Sequence, residues 1–395
     1  MISIFSKSVN SKIIVWVILI VGLTGCQNRE INTGVEDHEE VEIINIDPGK
    51  ASNQCLEDII EEVKFMKLQM PEDVFFVGIN KIVFKNKRIY ILDISDNGNK
   101  SRIFCFDMDG NLEYMLDKQG KGPGEYKYIY DISVTEKSLV LSVPGGRIMF
   151  YNNSNGAFLK TEKVPDKIST QIFEMMDDHT FAATSGRYKR NTSHKQLKIY
   201  DLNEKKIIQE ALGYDSPALK LGHSYRYLYY YRDTLSCLPM YGQTIYRIVK
   251  QKDHYKIDPA YKLDFGKYWI DEEILNTSYD NRERFFDAMD KYVHTVDVFE
   301  TDQILYLYYR YRSKDFVFIY SKAGGNPLNI SSFTNNKIGW KDKPMTSWNN
   351  YLVTIITPLE MEMGDFQSGG KYREIFSEIE EEAVPLMIFV KFISP

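Results

Sequence analysis

The chain is poor in cysteine and histidine, has no excess of positive charge, and lacks the familiar catalytic motifs. Each absence removes a class. Four cysteines in 395 residues cannot make a disulfide-dense scaffold. The six histidines contain no H-x-H or H-x-x-x-H pair, so no zinc site is legible locally and no metal or other cofactor is assigned. Lysine and arginine number 49 against 55 acids, a net charge of −6. That argues against a nucleic-acid partner, which would call for a basic face. No G-x-S-x-G elbow, Walker loop or G-x-G-x-x-G occurs, so no catalytic residue is named. The run Asp93-Ile94-Ser95-Asp96-Asn97-Gly98 imitates the start of a calcium loop. Its twelfth position is Phe104 instead of a bidentate Glu, so a polar turn is the better reading.

What is present begins with an address. Lys7 and Lys12 precede the uncharged apolar run Ile13–Leu23, 11 residues long where a spanning helix needs ~20. A basic start, a short apolar core and small residues make a secretory signal. Leu23-Thr24-Gly25-Cys26 resembles the bacterial lipoprotein signal at each lipobox position. The resemblance implies cleavage before Cys26, acylation of Cys26 with palmitate-type chains, and a lipid bilayer as its first partner. Several acyl chains anchor stably because each buried CH₂ contributes about 0.8 kcal/mol. Removal of residues 1–25 takes both lysines and leaves a net charge of −8. Cys55, Cys105 and Cys237 then remain, an odd number without C-x-x-C spacing, and buried, inert thiols are favoured. From Gln27 to about Glu62 acids outnumber bases, so residues 26–61 read as a lipidated, solvated acidic tether.

From residue 62 to 395 the sequence is built of short β runs bounded by Gly, Asn and Asp turns, an all-β signal. Five runs end in an apolar residue followed by an aromatic one: Cys105-Phe106, Phe150-Tyr151, Ile199-Tyr200, Ile245-Tyr246 and Ile319-Tyr320. The aromatics are 45, 49, 46 and 74 residues apart. The long interval contains Tyr268–Asp290, whose pattern suits short helices, and without those 23 residues it falls to 51. A period near 45 with several strands predicts a β-propeller of four-stranded blades. A sixth blade can be assembled from Tyr351–Ile356, Leu386–Phe392 and the first strand, Val63–Leu68. Joining the two ends of the chain in one blade closes the ring and hides its edges. The expectation is a six-bladed propeller with a helical insertion near 268–290.

Gly120-Lys121-Gly122-Pro123-Gly124-Glu125-Tyr126, with Asp131-Ile132-Ser133-Val134 after it, resembles the G-x-G-P-G-E-Y signature of the six-bladed, NHL-like propeller lipoproteins of Bacteroidota. The opening Cys55–Ile59 leading into Val63–Leu68, and the acidic stretch before Pro385, are similar to that family as well. The likeness spans roughly residues 41–393. It implies an exported lipoprotein propeller and no established activity. Gly122, Pro123, Gly124, Glu125 and Tyr126 read as structural, forming a tight inter-blade turn. The S-x-D-x-G-x-T-W box of sialidase propellers is missing.

Two stretches interleave tyrosine with arginine, Tyr225–Arg232 and Tyr306–Arg312. Alternation on a strand puts the two types on opposite faces. Tyr225, Arg226, Tyr229, Arg310 and Arg312 are therefore candidate ligand contacts, with inter-blade packing as the favoured reading of any one of them. Trp340, in a loop with Trp348 close by, is a further candidate. The function expected is a binding or scaffold lipoprotein of the cell envelope, lipid-anchored to the outer membrane. Its partner would be a small molecule, glycan, peptide or membrane protein. Gln27-Asn28-Arg29-Glu30 lacks an acidic surface-export run, which favours the periplasmic face. A hydrolase or lyase acting at the channel mouth is the alternative, because propellers host both.

Overall fold

Strands that are apolar on both faces need a partner on each side, and that requirement shapes the molecule. A computed structural model describes residues 41–95, 100–185, 193–214, 227–252, 254–276, 282–363 and 384–395. The chain divides between Val41 and Glu42, and Glu42–Pro395 makes one compact unit. Three strands open that unit: β1 (Glu42–Asn45), β2 (Ser52–Cys55) and β3 (Ile60–Lys67). Blade 1 holds β4 (Ile79–Lys85), β5 (Arg88–Ile94), β6 (Ser101–Asp107) and β7 (Leu112–Leu116). Blade 2 holds β8 (Asp131–Val134), β9 (Ser138–Val143), β10 (Arg147–Asn152) and β11 (Phe158–Lys163). Blade 3 holds β12 (Phe173–Met175), β13 (Thr180–Thr184), β14 (Lys195–Asp201) and β15 (Lys206–Gly213). Blade 4 holds β16 (Leu228–Tyr231), β17 (Thr234–Cys237), β18 (Thr244–Lys250) and β19 (Tyr255–Asp264). Blade 5 holds β20 (Val296–Glu300), β21 (Ile304–Tyr311), β22 (Lys314–Ser321) and β23 (Leu328–Thr334). Blade 6 has the order β24 (Thr346–Trp348), β25 (Tyr351–Ile356), β26 (Leu386–Phe392), β3. The fold is a six-bladed β-propeller, and its last blade joins the two ends of the chain.

Successive residues of a middle strand enter different cores. Tyr90 and Leu92 of β5 pack toward blade 2, whereas Ile89 and Ile91 pack toward blade 6. Six such cores, one per junction, account for most of the buried apolar side chains. This explains why the middle strands read as unbroken apolar runs while the outer ones alternate.

The repeating apolar–aromatic pair falls on the third strand of blades 1–5. In blades 1–4 the register with the fourth strand shifts at that pair. Blade 6 shifts likewise at Lys391/Phe392. The extra residue lies on the outer strand, Glu113, Leu159 and Ile208 in blades 1–3. These are β-bulges, which increase twist and turn an outer edge away from further pairing.

The N-terminal part departs from the sequence expectation of a tether over 26–61 and a propeller beginning at 62. Glu42–Asn45 instead pairs parallel to β19 as a fifth strand of blade 4, and Ser52–Cys55 pairs parallel to β23 on blade 5. The acidic composition hid this: Ile44, Ile46, Pro48, Leu56 and Ile59 are buried, while Glu42, Glu57, Asp58 and Glu61 are exposed. The expected insertion is a 3-10 turn at Gly266–Tyr268 followed by α1 (Glu272–Asn276) and α2 (Arg282–Met289). A third helix, α3 (Pro358–Met363), follows β25. Among the described residues, no helix is long and apolar enough to cross a membrane.

Candidate functional site

The innermost strand of each blade lines the axial channel. The hairpins that lead from these strands into the second strands all lie at one end, which we call the mouth. There a cavity of about 730 Å³ is lined by residues of all six blades. The other end carries the connections between blades, including the insertion and the Gly120–Tyr126 loop.

Each blade junction at the mouth is closed by a specific contact. Asn86 Nδ2 donates to the Thr135 carbonyl at 2.9 Å, joining blades 1 and 2. Ser133 Oγ donates to Glu174 at 2.7 Å between blades 2 and 3. Tyr230 Oη donates to the Met175 carbonyl at 2.8 Å between blades 3 and 4. Arg232 Nε reaches Asp302 at 2.8 Å between blades 4 and 5. Asn350 Nδ2 reaches the other Asp302 oxygen at 3.1 Å between blades 5 and 6. Between blades 6 and 1, Trp348 stacks on Phe84 with ring centroids 4.9 Å apart. Asn86 and Lys87, and likewise Asn349 and Asn350, have left-handed backbones, the paired geometry of tight hairpins.

Deeper in the channel stand two charge clusters. Lys81 Nζ of blade 1 donates to Asp131 at 2.9 Å, to the Ile132 carbonyl at 2.7 Å and to Glu174 at 2.7 Å, spanning three blades. Asp131 also accepts from the backbone of Ile132 and Phe173. Burial pushes the Asp131 carboxyl up to about 6, with Lys81 opposing that shift and Glu174 adding to it. Burial lowers the Lys81 ammonium, but the charges of Asp131 and Glu174 together more than offset this, and its affinity for the proton is raised. Across the channel Glu300 is fully enclosed. It accepts from Arg247 through both oxygens, from Lys322 at 2.6 Å and from Tyr229 Oη at 3.1 Å. Burial, then the charge of Glu300, holds the Tyr229 phenol well above its usual range. Among the described residues no group of three or more His, Cys, Asp or Glu side chains converges as metal ligands.

The residues singled out from sequence do not meet at one place. Tyr229 lines the mouth. Arg310 and Arg312 lie at the β21–β22 hairpin, at the opposite end. Arg310 pairs loosely with Asp315 at 3.5 Å, and Arg312 lies over the Tyr311 ring. Trp340 is buried between blades 5 and 6 against Phe392, with Nε1 3.4 Å from Tyr306 Oη. It is a packing residue there and presents no ligand surface. Trp348, its neighbour in sequence, lines the mouth instead. Tyr225, Arg226 and Cys26 lie outside the described residues. In the glycine loop, Glu125 accepts from Gly122 N at 2.7 Å, and Tyr126 is fully buried with its hydroxyl 3.0 Å from the Leu116 carbonyl. Gly124 has φ +73°, and a Cβ there would meet Phe158 at 2.8 Å. Pro123 sits within the Gly122–Glu125 turn, whose ends are joined by a 3.0 Å backbone hydrogen bond. Cys55, Cys105 and Cys237 are free thiols, and burial pushes Cys105 up to about 12.

Sequence reasoning missed Lys81, Asp131 and Glu174. They lie 50 and 43 residues apart in single strands, and the period of the repeat is the one signal that could have aligned them.

A closed six-bladed ring with an axial cavity at one end defines the class as a six-bladed β-propeller. More particularly, the chain belongs to the family described as Domain of unknown function (DUF4934), whose model matches residues 41–391. Among solved structures it is similar to a presumed exported protein of Bacteroides fragilis, at 19% identity and a TM-score of 0.74. That match covers 89% of this chain and 99% of the other. The WD40 repeats of RRP9 match with a TM-score of 0.42 at 10% identity, over 84% of this chain and 100% of that one. No curated protein matches the sequence.

Proposed function

We propose that this protein is a lipid-anchored binding protein of the bacterial envelope, held to the outer membrane by acylated Cys26 and facing the periplasm. The mouth of the channel is its ligand site. The carrying observation is the cavity of about 730 Å³ to which all six blades contribute, a size suited to a small molecule. The junction contacts around it make a preformed rim, so little conformational freedom is lost on binding. The Bacteroides relative described as exported and the lipobox Leu23–Cys26 support the location.

The hydrolase or lyase alternative rests on Asp131, a carboxyl pushed up to about 6 next to a lysine. General acid–base work needs a proton donor or acceptor in reach of substrate. Both Asp131 oxygens are already occupied by Lys81 and backbone N–H groups, which favours binding. The test is saturation-transfer NMR with a mixed fragment set on the parent and on Ser347→Trp, which fills the mouth from blade 6. Hits that vanish in the variant are expected. Hits that persist unchanged would place the site elsewhere and overturn the reading.

A further inference from the structure

Acids predominate among the charged residues that line the mouth. Eight carboxylates line the cavity, against Lys81, Lys85 and Arg232 as the lining cations. The remaining partners of these acids stand outside the lining. Lys250 holds Asp177 at 3.0 Å, Lys137 holds Asp178 at 3.6 Å, and Arg247 and Lys322 hold Glu300. The side chains that line the cavity thus carry more carboxylates than cations, an excess that favours a positively charged occupant. Asp233, exposed on the blade 4 hairpin, has no cation within 4 Å among the described residues.

A second feature is aromatic. Tyr230 is 39% exposed on an innermost strand, where its neighbours Leu228 and Tyr229 are buried. Its hydroxyl is fixed to the Met175 carbonyl at 2.8 Å. Glu174, Asp177 and Asp233 all act on this phenol, adding to the effect of burial in holding it above its usual range. An exposed ring held rigidly among carboxylates attracts cations through its face as well as its surroundings.

We infer that the mouth takes a small organic cation, an amine-bearing molecule whose ammonium groups meet the Tyr230 ring and the carboxylates of blades 3 and 4. This rests on the mouth being a binding site and specifies what enters it. The enclosure by six blades limits the occupant to a small molecule, so a free polyamine fits better than the lysine side chains of a folded partner.

Isothermal titration with four probes decides it: spermidine, capped trilysine, maltotriose and citrate, each at 50 and 300 mM salt. Saturable spermidine binding is expected, weakening several-fold at the higher salt as surface charge is screened. Tyr230→Leu should weaken it about two- to fivefold, the size of an exposed cation–π contact, and Asp177→Asn/Asp233→Asn should do so at least as strongly. Asp258→Asn, on the outer strand of blade 4, should change nothing. Parallel melting curves establish that the variants are folded. Tighter binding of trilysine overturns the small-molecule occupant. Binding of maltotriose or citrate but not spermidine overturns the cationic class while leaving the mouth as the site. Spermidine binding that is insensitive to both mouth variants overturns the inference as well.

Discussion

At the scale of single residues, the mouth shows how burial and pairing divide the work. Lys81 is the cation that joins Asp131 and Glu174 across three blades, so both carboxylates depend on it. Asp131 bears the cost, since its folded affinity for the proton, near pH 6, exceeds the usual value of about 3.9 in an unfolded chain. A raised carboxyl binds more protons folded than unfolded between these values, so its stabilising contribution is present at low pH and lost as pH rises through 6. Asp131→Asn removes this dependence and leaves Lys81 paired with Glu174. The stability of the parent relative to the variant should therefore fall from pH 4 to pH 6 and stay level above pH 7, as read by urea denaturation at several pH values. A difference that is flat across that range would reject the assignment.

At the scale of elements, the blade is a repeated solution to one problem, a sheet buried on both faces with one edge exposed. In blades 1–4 the third strand carries the apolar–aromatic pair and the fourth answers it with a bulge. Leu159 and Ile208 are exposed for the same reason, each being the extra residue of a bulge. In blade 6 the coupling is between the two ends of the chain. β26 lies between β25 and β3, and six of its seven residues are buried. Removing Leu386–Pro395 takes away the partner of both neighbours and exposes two inter-blade cores. Loss of a cooperative melting transition is the expected outcome, and a melting curve like the parent's would show that the ring closes without this strand.

At the scale of the whole molecule, the first described strands run along the rims of blades 4, 5 and 6 in succession before blade 1 begins. Glu42 and Asn53 reach residues nearly 280 positions away, with Tyr320 Oη donating to Glu42 and Ser332 Oγ to Asn53. Cys26→Ala should shift the protein from the membrane to the soluble fraction without changing its melting temperature, because Cys26 precedes the propeller. Unchanged fractionation would reject lipid anchoring.

The amino-acid sequence determined the architecture because propeller strands are local. Each four-stranded blade is nearly contiguous, so a period, turn residues and a glycine-proline loop are enough to count blades and to identify the closing one. Tyr126 could be read as structural for the same reason, since its partner Leu116 is ten residues away. The start of the fold was less legible, because β1 and β2 are short, polar and paired with strands more than two hundred residues distant. The mouth was legible only in part, through Tyr229, Tyr230 and Arg232 of the stretch Tyr225–Arg232, which line it. Lys81, Asp131, Glu174, Tyr230 and Asp302 are ordinary residues in five separate repeats, and only ring closure brings their side chains around one axis. The Tyr-Arg stretches drew attention by composition, yet the described parts of them divide between the two ends of the channel and the cores. Local periodicity thus settled what the molecule is built from, whereas the site depends on contacts between blades, which local sequence does not encode.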